Sequence, residues 1–168
     1  MNLDFKKIFF ALAIIVVQCI LDNYVDLGIY LRIVLVPYLI LILPYRYRTI
    51  SAMIMAFLIG LTVDIFTTGV LGTNAGALTA VAFIRQKMLY AIMDERNMER
   101  HDSPDFKVMG VAKGIFYIGV PYLLFFIVYT LLDNFGMRPF AITIPKILAG
   151  TTVSCIISIL LVKNYRKI

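Results

Sequence analysis

One acidic residue, Asp64, lies within an apolar run of the chain and is the clearest candidate for chemistry. Removing an ionised carboxylate from water is costly unless a partner compensates its charge. Arg32 and Lys146 also fall within apolar runs, so both are candidate partners. One interpretation is a substrate or ion site around Asp64, and the other is an internal ion pair that fixes helix packing. The sequence favours the ion pair.

Glycines are concentrated around Asp64. Gly60 precedes it by four residues, and Gly69 and Gly72 follow it together with Asn74. Glycines at this spacing suit a tight turn and a helix start at which two backbones approach closely. A phosphate-binding loop is disfavoured because the stretch contains no lysine. We therefore take these residues as candidates for structural or interaction roles.

Residue types that support catalysis are sparse in this chain. His101 is the single histidine and lies in a polar stretch, whereas Cys19 and Cys155 lie within apolar runs without ligand partners nearby. Asp22 and Asp133 are interpreted as solvated loop carboxylates. The sequence contains no Cys/His metal spacing and no Ser-His or paired-acid constellation. It therefore predicts a protein that is not an enzyme, with no catalytic residue, cofactor or metal site.

The composition indicates a membrane protein. Hydrophobic residues make up 61% of the 168 residues and charged residues 15%, and the mean hydropathy is +0.90. A soluble domain has about 45–50% apolar and about 25% charged residues. The net charge of +6 comes from bases beside apolar runs, where they act as topology signals and contact phospholipid. We predict a single membrane domain over residues 1–168 that does not bind nucleic acid.

Six apolar runs follow one another and predict an all-α integral membrane protein with six transmembrane helices. The fourth run can continue as an interfacial helix from Arg85, with Met88, Leu89, Ile92 and Met93 on one face. The runs cover approximately residues 8–21, 29–43, 50–66, 71–84, 111–132 and 144–162.

Lysine and arginine alternate between the two sides of these predicted helices. Thirteen lie in the segments of one side and one, Arg138, lies in those of the other. The positive-inside rule therefore places both termini in the cytoplasm. The first run lacks a small-residue cleavage site, so we predict an uncleaved helix rather than a signal peptide. Residues 85–110 form the longest cytoplasmic stretch, with a predicted turn at Ser103-Pro104.

The glycine-rich stretch resembles a motif of the rod shape-determining protein MreD family. The matching residues are Gly60-Leu61-x-x-Asp64 followed by Gly69-x-Leu71-Gly72-x-Asn74-Ala75. Pro37 in the preceding run and the cytoplasmic turn Tyr45-Arg46-Tyr47-Arg48 also fit, so the specific match covers residues 37–85. The chain departs from the family in the longer cytoplasmic stretch after the fourth helix.

The resemblance implies that the protein is a scaffold and catalyses no reaction. Members of the MreD family are non-catalytic components of the bacterial elongation machinery in the cytoplasmic (inner) membrane. They bind the bitopic protein MreC and help to couple MreB filaments to the peptidoglycan synthases, thereby controlling rod shape. Those synthases, the polymerase RodA and a class B penicillin-binding protein, would be indirect partners, as would MreB.

MreD-like proteins are also similar in fold to the substrate-binding S components of energy-coupling-factor vitamin transporters. An S component is therefore the alternative function, in which Asp64 and Asn74 would line an outward-facing pocket. A vitamin pocket needs several convergent polar groups, and the chain offers few besides these two, Arg32 and Lys146. The scaffold function is favoured.

Overall fold

The computed structural model describes residues 5–25, 31–45, 47–67, 70–93, 104, 109–134 and 140–165. Within these ranges every regular element is a helix. We number them α1 (Phe5–Tyr24), α2 (Val36–Leu41), α3 (Thr49–Phe66), α4 (Thr73–Ile92), α5 (Val111–Asn134) and α6 (Phe140–Tyr165). Gly69 and Ser103 lie outside the described residues.

Three of the described helices are long and apolar enough to cross a membrane. The qualifying segments are Thr49–Phe66 in α3, Ala112–Asp133 in α5 and Thr143–Leu161 in α6. A shorter apolar segment, Ile8–Tyr24, lies in α1. The structure is thus consistent with the predicted fold class, an all-helical membrane protein, and three of its described helices have the length and apolar composition of a membrane span.

The second apolar run is not the continuous helix predicted over residues 29–43. Residues 31–35 are not helical, and α2 has only six residues. Pro37 lies in the first turn of α2, where its missing N–H is not needed. A helix that continued through this proline would lose the bond to the carbonyl of residue 33. We call residues 31–45 the α2 segment.

The α2 segment lies inside the protein, and all six residues of its helix are buried. α3 packs along α4, α4 along α5, and α5 along α6, while α1 contacts both α2 and α3. Consecutive helices run in opposite directions, and the bundle has two ends at which polar residues meet. The end of α3 and the start of α4 lie at one, which we call the Asp64 end. The start of α3 and the later part of α4 lie at the other, which we call the Arg85 end.

The predicted continuation of the fourth helix is confirmed, because α4 extends without interruption to Ile92. The predicted interfacial face on this extension is wrong. Met88, Leu89 and Met93 are buried in the hydrophobic core, and Ile92 packs against it. The face that sequence periodicity assigned to a membrane surface is covered by the rest of the protein.

Candidate functional site

The carboxylate of Asp64 is the centre of the polar structure at its end of the bundle, and the residue is fully buried. Its Oδ1 atom accepts hydrogen bonds from the hydroxyl of Thr73 at 2.9 Å and from the backbone N–H and side-chain amide of Asn74 at 2.9 and 2.8 Å. Its Oδ2 atom accepts the backbone N–H groups of Gly72 at 2.9 Å and Ala75 at 3.2 Å. Five donors from the start of α4 therefore converge on one carboxylate.

Asp64 acts as the N-terminal cap of α4, although it belongs to α3. The first N–H groups of a helix have no partner within the helix, and Gly72, the N-cap residue, offers no side chain. The positive end of the helix dipole also stabilises a negative charge at this point. A carboxylate has about four lone-pair sites, so the five donors use its whole accepting capacity.

Two glycines allow this contact between α3 and α4. A Cβ atom on Gly60 would overlap the backbone of Ala75, so only glycine lets the helices approach this closely. Gly72 has a φ angle of 104°, in the left-handed region that favours glycine. The motif in residues 60–75 is therefore a joint that docks α3 onto the start of α4.

The predicted ion pair of Asp64 with Arg32 or Lys146 is wrong. Arg32 instead binds Asp22 through two hydrogen bonds, Nε to Oδ1 at 3.1 Å and Nη2 to Oδ2 at 2.9 Å. Lys146 pairs with Asp133 at 3.6 Å. The reason is that the dipole and donors of α4 already compensate the charge of Asp64, which leaves both cations for other carboxylates.

Asp22 is consequently not the solvated loop residue that the sequence predicted. Its side chain is 8% exposed and also accepts a hydrogen bond from Gln18 Nε2 at 3.0 Å. The Asp133 side chain is 28% exposed and is likewise paired. Both acids belong to the ordered polar structure at the Asp64 end.

The guanidinium of Arg32 lies at the meeting point of four elements. Its carbon atom Cζ is 4.2 Å from the ring centroid of Tyr129 in α5, and Lys146 Nζ in α6 is 5.7 Å from the same centroid. Arg32 Nη2 is also 3.5 Å from Asn74 Oδ1 in α4. With Asp22 in α1, this network ties the start of the α2 segment to four long helices.

The non-helical start of the α2 segment is held by two buried side chains. Gln18 Oε1 accepts the backbone N–H of Leu35 at 2.7 Å, and Gln18 Nε2 donates to the carbonyl of Ile33 at 3.1 Å. Ser154 Oγ accepts the backbone N–H of Val34 at 3.0 Å. These bonds replace those that a helix would have made, as buried backbone requires. Sequence reasoning gave Gln18 no such role, although a glutamine within an apolar run was a usable signal.

The opposite end of the α2 segment is held in the same way. The hydroxyl of Tyr117 donates to the carbonyl of Leu41 at 3.0 Å. Arg85 Nη2 donates to the carbonyls of Leu43 and Pro44. The sequence did not predict the burial of Arg85, because that burial depends on the path of the α2 segment.

The structure places the sequence-predicted candidates that it describes, all except Gly69, at one end of the bundle. Asp64, Gly60, Gly72 and Asn74 form the joint between α3 and α4, and Arg32 contacts that joint through Asn74. Lys146 reaches the same group through the ring of Tyr129. Comparison of the chain with models of known protein families, with curated proteins and with solved structures gives no match.

Proposed function

We propose that this protein is a non-catalytic membrane scaffold of the MreD type in the inner membrane of a bacterium. It would bind MreC and help to couple MreB filaments to the peptidoglycan synthases RodA and a class B penicillin-binding protein. The physical role is to position partner helices in the plane of the membrane. The proposed topology has six crossings with cytoplasmic termini.

The fully used hydrogen-bonding capacity of the Asp64 carboxylate is the observation that carries this proposal. The polar groups of the MreD-like motif bind one another, with five hydrogen bonds from the start of α4 to this one carboxylate. A motif used in this way fixes the relation of two helices and leaves no acceptor on Asp64 for a ligand or ion. That supports a rigid framework rather than a substrate site at Asp64.

The distribution of charge supports the proposed orientation. In the described helices, the bases Arg48, Lys87 and Lys113 lie at the Arg85 end, which would therefore face the cytoplasm. The α2 segment would be the second crossing. Non-helical backbone is tolerated at membrane depth only where protein surrounds it, and residues 34–41 of this segment are all buried.

Partner binding would use the exposed apolar faces of the outer helices. Phe9 and Leu12 of α1 are 75% and 57% exposed, and Ile156 and Leu160 of α6 are 60% and 59% exposed. Alanine at these positions removes surface without opening a cavity in the core. The two pairs are thus matched probes of two separate faces.

The test is recovery of the tagged protein from native membranes in mild detergent, with mass spectrometry of the proteins that accompany it. Recovery of MreC and the cell-wall synthases is expected for the wild-type protein. Loss of MreC with Phe9→Ala/Leu12→Ala but not with Ile156→Ala/Leu160→Ala, or the reverse, would identify the binding face. Recovery of neither MreC nor a synthase by the wild-type protein contradicts the proposal.

One observation favours the S-component alternative. Arg32 Nη1 is buried and has no hydrogen-bond partner, so one donor at the Asp64 end is unsatisfied. A single donor is fewer than the several convergent groups of a typical small-molecule pocket. Recovery of the ATPase subunits of a transporter, together with a vitamin in the extract, would establish this alternative.

A further inference from the structure

The charged residues at the two ends of the bundle are separated by short lengths of helix. In α6, the step from Lys146 to Lys163 corresponds to about 26 Å, at a rise of about 1.5 Å per residue. α3 follows the exposed Arg48 and ends at Phe66, a length of about 27 Å. The hydrocarbon core of a typical bilayer is about 30 Å thick. Both helices are therefore shorter between their polar ends than the bilayer that they would cross.

α5 is longer, but its contacts with α4 bring its charged ends to closer levels. From Lys113 to Asp133 the axis of α5 rises by about 30 Å. However, the ammonium of Lys113 donates to the carbonyl of Ile92 at 3.3 Å, and Leu132 lies against Gly76. Gly76 and Ile92 are about 24 Å apart along α4. We call the zone between these two levels the apolar belt, and it is thinner than a typical hydrocarbon core.

The outer face of α4 carries a charge even closer to the middle of the bundle. Lys87 is exposed, and its ammonium lies over the ring of Phe83, 4.7 Å from the centroid, one turn back toward the start of the helix. Phe83 is 49% exposed and lies about 15 Å along the axis from Thr73, the first residue of α4. A charged side chain at the lipid surface needs contact with headgroups or water. This face therefore moves the polar boundary inward.

We propose that the protein thins the bilayer around it, most strongly along α4, and so binds phospholipids with short acyl chains in preference to long ones. A bilayer thins around a hydrophobic belt that is shorter than its hydrocarbon core, and the cost rises with each ångström of mismatch. Short acyl chains reduce that cost. The inference rests on the membrane position in the proposed function but not on MreC, so loss of MreC recovery would refute the scaffold alone.

The first test compares the stability of the purified full-length protein in bilayers that differ only in acyl-chain length. The protein is reconstituted into dimyristoleoyl, dioleoyl or dierucoyl phosphatidylcholine, in order of increasing length. The unfolding temperature should be highest in the shortest chains and fall by about 2–4 °C toward the longest. Equal temperatures in the three lipids, or a maximum in either of the longer two, would overturn the proposal.

Two variants of Lys87 test the contribution of α4. Lys87→Leu extends the apolar face of the helix, so the difference in unfolding temperature between the shortest and longest chains should become smaller. Lys87→Arg is the control, because it keeps the charge at the same exposed position and should keep the wild-type dependence. A Lys87→Leu variant with the wild-type dependence would contradict the placement of the thinning along α4.

The depth of Phe83 in the bilayer gives a measurement that does not depend on stability. The chain contains no tryptophan, so the variants Phe83→Trp and Phe57→Trp each have a single fluorophore. The two positions are similarly exposed, at 49% and 46%, and Phe57 lies in the middle of α3. Nitroxide on the lipid headgroup should quench Phe83→Trp most, whereas nitroxide at the end of the acyl chain should quench Phe57→Trp most. Stronger quenching of both variants by the chain-end label would overturn the proposal.

Discussion

Asp64 and Asn74, ten residues apart, are joined by two hydrogen bonds to the same carboxylate oxygen, one from the backbone N–H and one from the side-chain amide of Asn74. The first bond caps α4 and the second orients the Asn74 side chain. The oxygen of that side chain is then 3.5 Å from Arg32 Nη2. One contact thus links the joint between α3 and α4 to the network around the α2 segment.

Replacing Asp64 with leucine should destabilise the protein strongly. The change leaves the backbone N–H groups of Gly72, Asn74 and Ala75 without an acceptor, and each such group costs about 1–3 kcal/mol where it is buried. We expect the free energy of unfolding to fall by at least about 3 kcal/mol, measured by denaturation in detergent. Asp64→Asn should lose less, because one oxygen still accepts. An Asp64→Leu variant as stable as Asp133→Asn, the partly exposed control, would show that the cap is not needed.

Replacing Gly60 with alanine should separate α3 from α4. The added Cβ atom meets the backbone of Ala75, which cannot move aside as a side chain would. Overpacking of this kind costs about 1–3 kcal/mol. Gly119→Ala is the control, since a Cβ atom added there would have no neighbouring atom within 4 Å, and alanine should be neutral or stabilising. The unfolding temperature should therefore fall in Gly60→Ala and not in Gly119→Ala, and equal shifts in the two variants would refute the close approach.

Removing the side chains that hold the α2 segment should loosen it locally. Gln18→Leu deletes the partners of both Leu35 and Ile33, and Ser154→Ala deletes the partner of Val34. We expect faster hydrogen–deuterium exchange in residues 31–41 for each variant, with Gln18→Leu the larger effect. Thr152→Ala is the control, because the Thr152 hydroxyl bonds only to carbonyls of its own helix and is exposed. Unchanged exchange in both test variants would contradict the assigned role.

The ion pair of Arg32 with Asp22 should contribute more to the free energy of unfolding than the ion pair of Lys146 with Asp133. Arg32 binds Asp22 through two atoms in a nearly buried setting, a geometry that lysine cannot reproduce. Arg32→Lys should lower the free energy of unfolding by about 1.5 kcal/mol or more. Lys146→Gln breaks a longer, 3.6 Å ion pair with a more exposed acid and the 5.7 Å contact with the Tyr129 ring, and it should cost about 1 kcal/mol. A double-mutant cycle for each pair measures the two couplings, and a reversed order would contradict the geometry.

The proposed topology makes a separate prediction. A reporter enzyme that works only outside the cytoplasm should be active when it is fused at Gly136. The same reporter fused at Ser103 should be inactive, because this position is predicted to be cytoplasmic. The basis is the charge difference between the two ends of the bundle. Both reporters on the same side would remove one crossing from the proposed six.

The sequence by itself determined the class of the fold and the position of its central joint. Hydrophobicity and glycine spacing are local properties, so the long helices, the extension of α4 and the close approach near Gly60 could be read from them. The partners of charged residues could not, because Asp64 satisfied its charge with backbone donors that no residue pattern displays. The path of the α2 segment, whose first residues are not helical, could not be predicted from the sequence either. Its path depends on hydrogen bonds from side chains that are far apart in the chain and meet it once the helices have packed, namely Gln18, Arg85, Tyr117 and Ser154.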